Sequence, residues 1–189
     1  MNRWISLCAL AAAAPACGDS PASQLSYTDP PAGGALRLVK NPVSTTKAIV
    51  LDFVVGDAAL TGYATGFDLP LDAAKVTLGP FTPGKVLNPG TAPVAASAKL
   101  PSQGPLRGTL VVGVSQKAAG GGAVATDTAL PPGTVLLTVQ LDAVEPLQGG
   151  VVFDGTAKGF ALTSGGLRTK AGMAVVDASQ VKIGKLELR

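Results

Sequence analysis

The chain has 189 residues, of which 47% are apolar, 14% charged and 4% aromatic, with 24 glycines, 15 prolines and no histidine. So much glycine and proline leaves no room for long helices, the apolar content argues against wholesale disorder, and the missing histidine excludes imidazole bases and imidazole metal ligands. The formal net charge of +3 comes from interspersed basic and acidic residues without a Lys/Arg run, so no nucleic-acid partner is expected.

Met1-Asn2-Arg3 forms a short positive segment, and Trp4–Ala14 an apolar run. That run has the length of a signal-peptide core and is too short to span a bilayer. Ala14-Pro15-Ala16 supplies small residues for cleavage, and Cys17 follows at once. These residues resemble the lipobox of bacterial lipoproteins, although leucine is usual where Ala14 stands and Pro15 is uncommon there. The resemblance implies that residues 1–16 are a signal peptide and that Cys17 carries lipid. The alternative is an ordinary secretory signal cut before Cys17. The only other cysteine, Cys8, lies inside the leader, so cleavage would leave Cys17 without an intramolecular partner, and lipidation accounts for a lone exported cysteine. Two or more acyl chains hold a protein stably on a membrane. In lipoproteins the next residue helps sort inner from outer membrane. Gly18 does not match the aspartate retention signal, which implies the outer membrane.

Residues 17–34 read as the lipidated cysteine and a flexible linker, because small, polar, Pro and Gly residues dominate without apolar periodicity. Tyr27 is expected to be solvated there. From Ala35 short runs of period two begin, and residues 35–189 are expected to form one domain. Strands are predicted over Ala35–Lys40, Ala48–Val55 (buried on much of both faces), Tyr63–Leu69 with Pro70 ending it, and Val76–Leu78. Others follow at Leu110–Val114, Val135–Leu141, Val151–Gly155, Phe160–Leu162 and Val181–Leu188. The last changes phase, Val181 and Ile183 against Leu186 and Leu188, which requires a β-bulge at Gly184-Lys185 or burial on both faces. Turns and loops are predicted at Gly79–Gly84, Asn88–Pro93, Pro101–Pro105, Ala118–Ala125 and Pro131–Gly133, and a short helix at Leu71–Lys75 capped by Asp72.

Leu36–Val39, Ile49–Val55, Gly62–Leu69 and the turn into Val76-Thr77-Leu78 resemble the opening of cohesin-like domains. Gly133–Val139 resembles their glycine-led central strand, and Val175–Leu188 their closing strand. The resemblance implies a nine-stranded jelly roll with its first and last strands adjacent, an architecture shared with carbohydrate-binding modules. The reading is therefore an all-β jelly-roll sandwich of eight to nine strands.

The chemical signals are sparse. Ser44-Thr45-Thr46-Lys47 matches S-x-x-K, but it precedes a strand, and neither S-D-N nor K-T-G occurs. Asp52/Asp57 and Asp68/Asp72 are the closest acidic pairs, without a calcium-loop string. The chain has two glutamates, Glu145 and Glu187, poor material for a carboxylate-pair hydrolase. Gly120-Gly121-Gly122 lacks the phosphate-loop consensus. Phe53, Phe67 and Tyr63 fall on inward phases, and Phe153 and Phe160 are expected in the core. Phe81, between Pro80 and Pro83, is the one aromatic expected in an exposed loop and the candidate ligand contact. No catalytic residue, metal ligand or cofactor is predicted. The expectation is a non-enzymatic lipoprotein on the outer membrane, with a protein partner in an envelope assembly. The alternative is a module for cell-wall or matrix polysaccharide.

Overall fold

Apolar residues that alternate along a strand bury one face and leave the other free, and the chain solves this by stacking sheets. The computed structural model describes residues 24–87, 94–116 and 126–189. In them lie β1 Leu25–Thr28, β2 Leu36–Lys40, β3 Ala48–Val55, β4 Leu60–Gly62, β5 Ala64–Pro70, β6 Val76–Pro83, β7 Val94–Lys99 and β8 Thr109–Gln116. They continue with β9 Thr128–Leu130, β10 Val135–Ala143, β11 Gly150–Asp154, β12 Ser164–Arg168, β13 Ala174–Asp177, β14 Val181–Lys182 and β15 Lys185–Leu188. No α-helix occurs among the described residues. The leader with Cys8 and Cys17, and the loops predicted at Asn88–Pro93 and Ala118–Ala125, lie outside them.

One five-stranded sheet has the order β14-β2-β3-β10-β6, a second the order β13-β12-β5-β8-β7; a three-stranded sheet β1-β15-β11 and a β4-β9 pair complete the set. The architecture is all-β and sandwich-like. Ile49, Leu51, Phe53 and Val55 of β3 meet Phe67 and Leu69 of β5 and Leu110, Val112 and Val114 of β8 in one buried cluster. Phe53 and Phe67 contact edge to face, with centroids 4.9 Å apart, a favoured aromatic geometry. Val50 is also buried, as expected for a central strand.

Several sequence expectations are corrected. The linker predicted over residues 17–34 contains β1, which pairs antiparallel with β15, Leu25 opposite Leu188 and Tyr27 opposite Leu186. Tyr27 is buried rather than solvated, and packs on Phe153. Four residues between polar neighbours were too short for a periodic signal. The strand expected at Val76–Leu78 runs on through Pro83, because the Gly79–Gly84 segment pairs with β10 across a register shift between Val139 and Leu141. Leu71–Lys75 is a turn, in which the Asp72 carboxylate accepts the Ala74 N–H at 3.1 Å. Phe160–Leu162 is not a strand; Ser164–Arg168 is. The described residues hold fifteen strands, not eight or nine: β4/β5 and β14/β15 are runs divided where the chain changes sheet, and β1, β7, β9 and β13 fall on segments not predicted as strands.

The C-terminal phase change marks such a crossing. β14 lies parallel to β2, Val181 opposite Leu36 and Lys182 opposite Arg37, whereas β15 belongs to the other sheet, between β1 and β11. Val181, Ile183, Leu186 and Leu188 are all buried. Continued past Lys182, the parallel ladder would bond Gly184 N–H to Leu38 C=O. The Tyr27 hydroxyl instead stands between them, donating to Leu38 O at 2.8 Å and accepting from Gly184 N at 3.0 Å. A side chain at Gly184 would strike the Thr28 carbonyl and the Tyr27 ring.

Candidate functional site

Strand pairing places residues directly opposite one another on the same face. In the sheet β13-β12-β5-β8-β7, Thr65, Phe67, Leu110, Val112, Val114, Leu167 and Val176 point into the core. The opposite face is therefore carried by the alternate residues. One row across it reads Asp177, Gly166, Gly66, Gly113, Ser97, one residue from each of five adjacent strands. The row on one side is Ser164, Asp68, Val111, Lys99. The row on the other is Ala174, Arg168, Ala64, Ser115, Ala95.

At Gly66 and Gly113 the peptide backbone is partly bared and the face is hollowed, whereas Gly166, in the same row, is buried. Two depressions open there, of about 280 Å³ over β12-β5 and about 480 Å³ over β5-β8-β7. Both include Ala64 and Thr65 in their walls. Together they cross β12, β5, β8 and β7, and four strands about 4.8 Å apart make a trough about 14 Å long, with the rows two residues to either side about 13 Å from one another. Apart from Val111, the flanks are charged, polar or small. Ser164 Oγ donates to Asp68 Oδ2 at 2.7 Å, fixing the carboxylate on one rim.

The three glycines differ in cause. A side chain at Gly66 would run into the Val112 carbonyl, and one at Gly166 (φ +114°) into that of Val176. Those two are demanded by close strand approach. Below Gly166, the buried Thr65 hydroxyl donates to its carbonyl at 2.9 Å. Gly113 is different. Its φ is ordinary for a side chain, and the nearest atom to an added Cβ is Thr65 O at 4.0 Å. Glycine inside a strand costs about 0.5–1 kcal/mol against alanine, and here packing does not require it. Such a glycine marks a place where a ligand or another backbone comes close.

The residues singled out from sequence lie elsewhere. Phe81 is not in an exposed loop: it sits in β6 opposite Val139 and packs, half-buried, against the core. Two flanking prolines suggested a loop, but an edge strand tolerates proline. Ser44 sits in a turn, its hydroxyl within 2.8 Å of Asn41 O and accepting Val50 N–H at 3.0 Å. Asp52 accepts from Asn41 Nδ2 and Thr138 Oγ1 at 2.7 and 2.6 Å. Asp72 is paired with Lys75, which together with the Ala74 N–H holds its carboxyl below the usual range. Asp154 is lowered chiefly by the Thr156 hydroxyl. Glu145 pairs with Lys47 at 3.4 Å, and Glu187 pairs with Lys185 at 2.7 Å and with Arg189. Among the described residues no three His, Cys, Asp or Glu side chains converge, and no helix is long and apolar enough to cross a membrane.

The trough escaped the sequence reading although its parts are visible in it: Ala64, Gly66, Asp68; Val111, Gly113, Ser115; Ala95, Ser97, Lys99. Apart from Val111, each set is a period-two series of small or polar residues. Only the register aligns the glycines. No protein-family model matches the chain, and neither a curated protein nor a solved structure matches it.

Proposed function

We propose that this chain is a non-enzymatic binding lipoprotein of the bacterial outer membrane, anchored through Cys17, whose jelly-roll domain grips an extended segment of a protein partner in the glycine trough. The observation that carries the reading is Gly113, a glycine kept in a central strand with open space above it. A bared backbone flanked by Asp68 and Lys99 on one rim and Arg168 on the other suits a polypeptide, which brings both amide groups and mixed charges. Polysaccharide is less well served. Its usual support is a flat set of aromatic rings, and the trough rows contain none, while Phe81 is held in a strand against the core. The cohesin-like resemblance of the strands agrees with a role in holding an envelope assembly together.

The test uses Gly113→Leu, which fills the trough without touching the core. The native lipoprotein is purified from detergent-solubilised envelope with its stoichiometric partner, and the partner is then rebound to wild type and variant. The variant should fold normally and lose the partner. Equal partner binding by both forms refutes the trough, and retention on envelope polysaccharide without a protein partner refutes the assignment. Labelling with radioactive palmitate tests the anchor: a Cys17→Ala chain that still takes up label and fractionates with membrane overturns it.

A further inference from the structure

The residue at which the fold begins sets how far the domain can stand from Cys17. Gln24 is already part of the sandwich: its N–H donates to Arg189 O at 2.7 Å, its carbonyl accepts the Arg189 N–H at 3.0 Å, and the Leu25 N–H donates to Thr46 O at 2.7 Å. Residues 18–23 alone separate Cys17 from Gln24. Even fully extended, those steps of about 3.3–3.6 Å reach only about 24 Å, whereas the linker expected through residue 34 would reach about 60 Å. The sandwich is longer than that short reach. β10 has 9 residues, which at about 3.4 Å each make about 30 Å before any connection is added.

Gln24 lies at one end of the strands, and backbone hydrogen bonds link the connections gathered there. The Ala143 N–H donates to Lys47 O at 2.8 Å, joining the β10–β11 connection to the β2–β3 connection that carries Thr46. The Val144 N–H donates to Lys75 O and the Leu71 N–H to Gly108 O, both at 2.9 Å, which adds the Leu71–Lys75 turn and the β7–β8 connection. Val43 in the β2–β3 connection is 70% exposed and Leu106 in the β7–β8 connection 42%. The opposite end holds exposed residues too, Val135 and Met173, so apolar exposure does not choose between the ends. Reach does. To set the opposite end on a bilayer, Gln24 would have to stand off by more than the length of β10, which the chain from Cys17 cannot span. Val43 and Leu106 also come from different five-stranded sheets. A domain lying on one sheet would wet one of them, whereas a domain standing on this end brings both to lipid, and apolar side chains gain by leaving water.

We infer that this end of the sandwich is a membrane-facing surface, with Val43 and Leu106 at its tips, seated on the headgroup layer of the bilayer that holds Cys17. The inference deepens the anchor reading and rests on Cys17 carrying the lipid. The trough crosses the strands, so it then lies along the bilayer, with the rim of Asp68 and Lys99 toward the membrane and that of Arg168 away from it.

The test reconstitutes the native lipoprotein into phosphatidylcholine vesicles in which a fraction of the headgroups carry a nitroxide quencher. A bimane fluorophore is attached to one introduced cysteine, Val43→Cys, Leu106→Cys or Met173→Cys. All three residues are exposed, so the substitutions preserve folding. Once the leader with Cys8 is removed, Cys17 is the one native cysteine of this sequence, and a lipidated sulfur takes no bimane, so the wild type should stay unlabelled and float with the vesicles. Bimane at residues 43 and 106 should lose fluorescence to the headgroup quencher. Bimane at residue 173 should keep it, because the β12–β13 turn lies beyond Ala64, about 20 Å along β5 from the near end. Equal quenching at residues 43 and 173, or none at 43 and 106, in protein that floats overturns the inference and leaves the anchor standing. A wild type that takes up bimane and does not float overturns the anchor and the inference with it.

Discussion

Tyr27→Phe removes one oxygen atom and tests how the N-terminal strand is tied to the sandwich. The hydroxyl serves two buried backbone groups, Leu38 C=O at 2.8 Å and Gly184 N–H at 3.0 Å. A buried backbone group left unpaired costs about 1–3 kcal/mol. Phenylalanine keeps the ring contact with Phe153, so packing is largely preserved. The expected loss is therefore about 2–4 kcal/mol, which for a domain of this size lowers the melting temperature by about 5–15 °C. A second signature reports the burial of the hydroxyl. Burial pushes the Tyr27 phenol well above its ordinary value of 10.0. A group whose folded pKa is raised stabilises the fold fully below the unfolded pKa and loses that contribution as pH rises. The wild type should thus lose about 1.4 kcal/mol per pH unit above pH 10 through this residue, and its advantage over Tyr27→Phe should shrink at that rate. Urea unfolding of both forms across the alkaline range measures it. A neutral-pH loss below about 0.5 kcal/mol refutes the bridging role, since two unpaired groups cannot cost so little, and an advantage that stays constant above pH 10 refutes the burial of the hydroxyl.

Other substitutions follow the same logic. Gly113→Ala should stabilise the domain by about 0.5–1 kcal/mol, whereas Gly66→Ala should destabilise it by about 1–3 kcal/mol through collision with the Val112 carbonyl; equal effects in thermal unfolding would contradict the different surroundings of the two glycines. Phe81→Ala should cost about 2 kcal/mol, roughly half the loss of a fully buried phenylalanine, and should leave retention on polysaccharide columns unaltered. The carboxyl of Asp72 is held below its ordinary value of 3.8, so its stabilisation is present above that pH and lost as pH falls through the lowered value. Asp72→Asn should flatten that part of the acid unfolding curve; an unchanged curve would show that the Lys75 pair contributes nothing to stability.

The all-β class, the central strand β3 and the turn at Pro131–Gly133 were legible in the sequence because they are local. Period-two alternation and turn residues carry their own physical cause, namely which face of a pleated strand meets water. The phase change between Ile183 and Leu186 also announced an irregularity. Its meaning was not local: the chain leaves one sheet for another, and the tyrosine that bridges the gap comes from a segment that reads as linker. Phe81 failed for the same reason, since two prolines resemble a loop until β10 is known to lie beside them.

The sequence by itself determined which elements could form, how their side chains alternate, and that histidine chemistry is absent. Only the tertiary structure decided what lies opposite what. Gly66, Gly113 and Gly166 are separated by tens of residues, and Lys182 and Arg37 by more than a hundred. A trough is a property of strand register, and register is set by the burial of a common core rather than by any one segment.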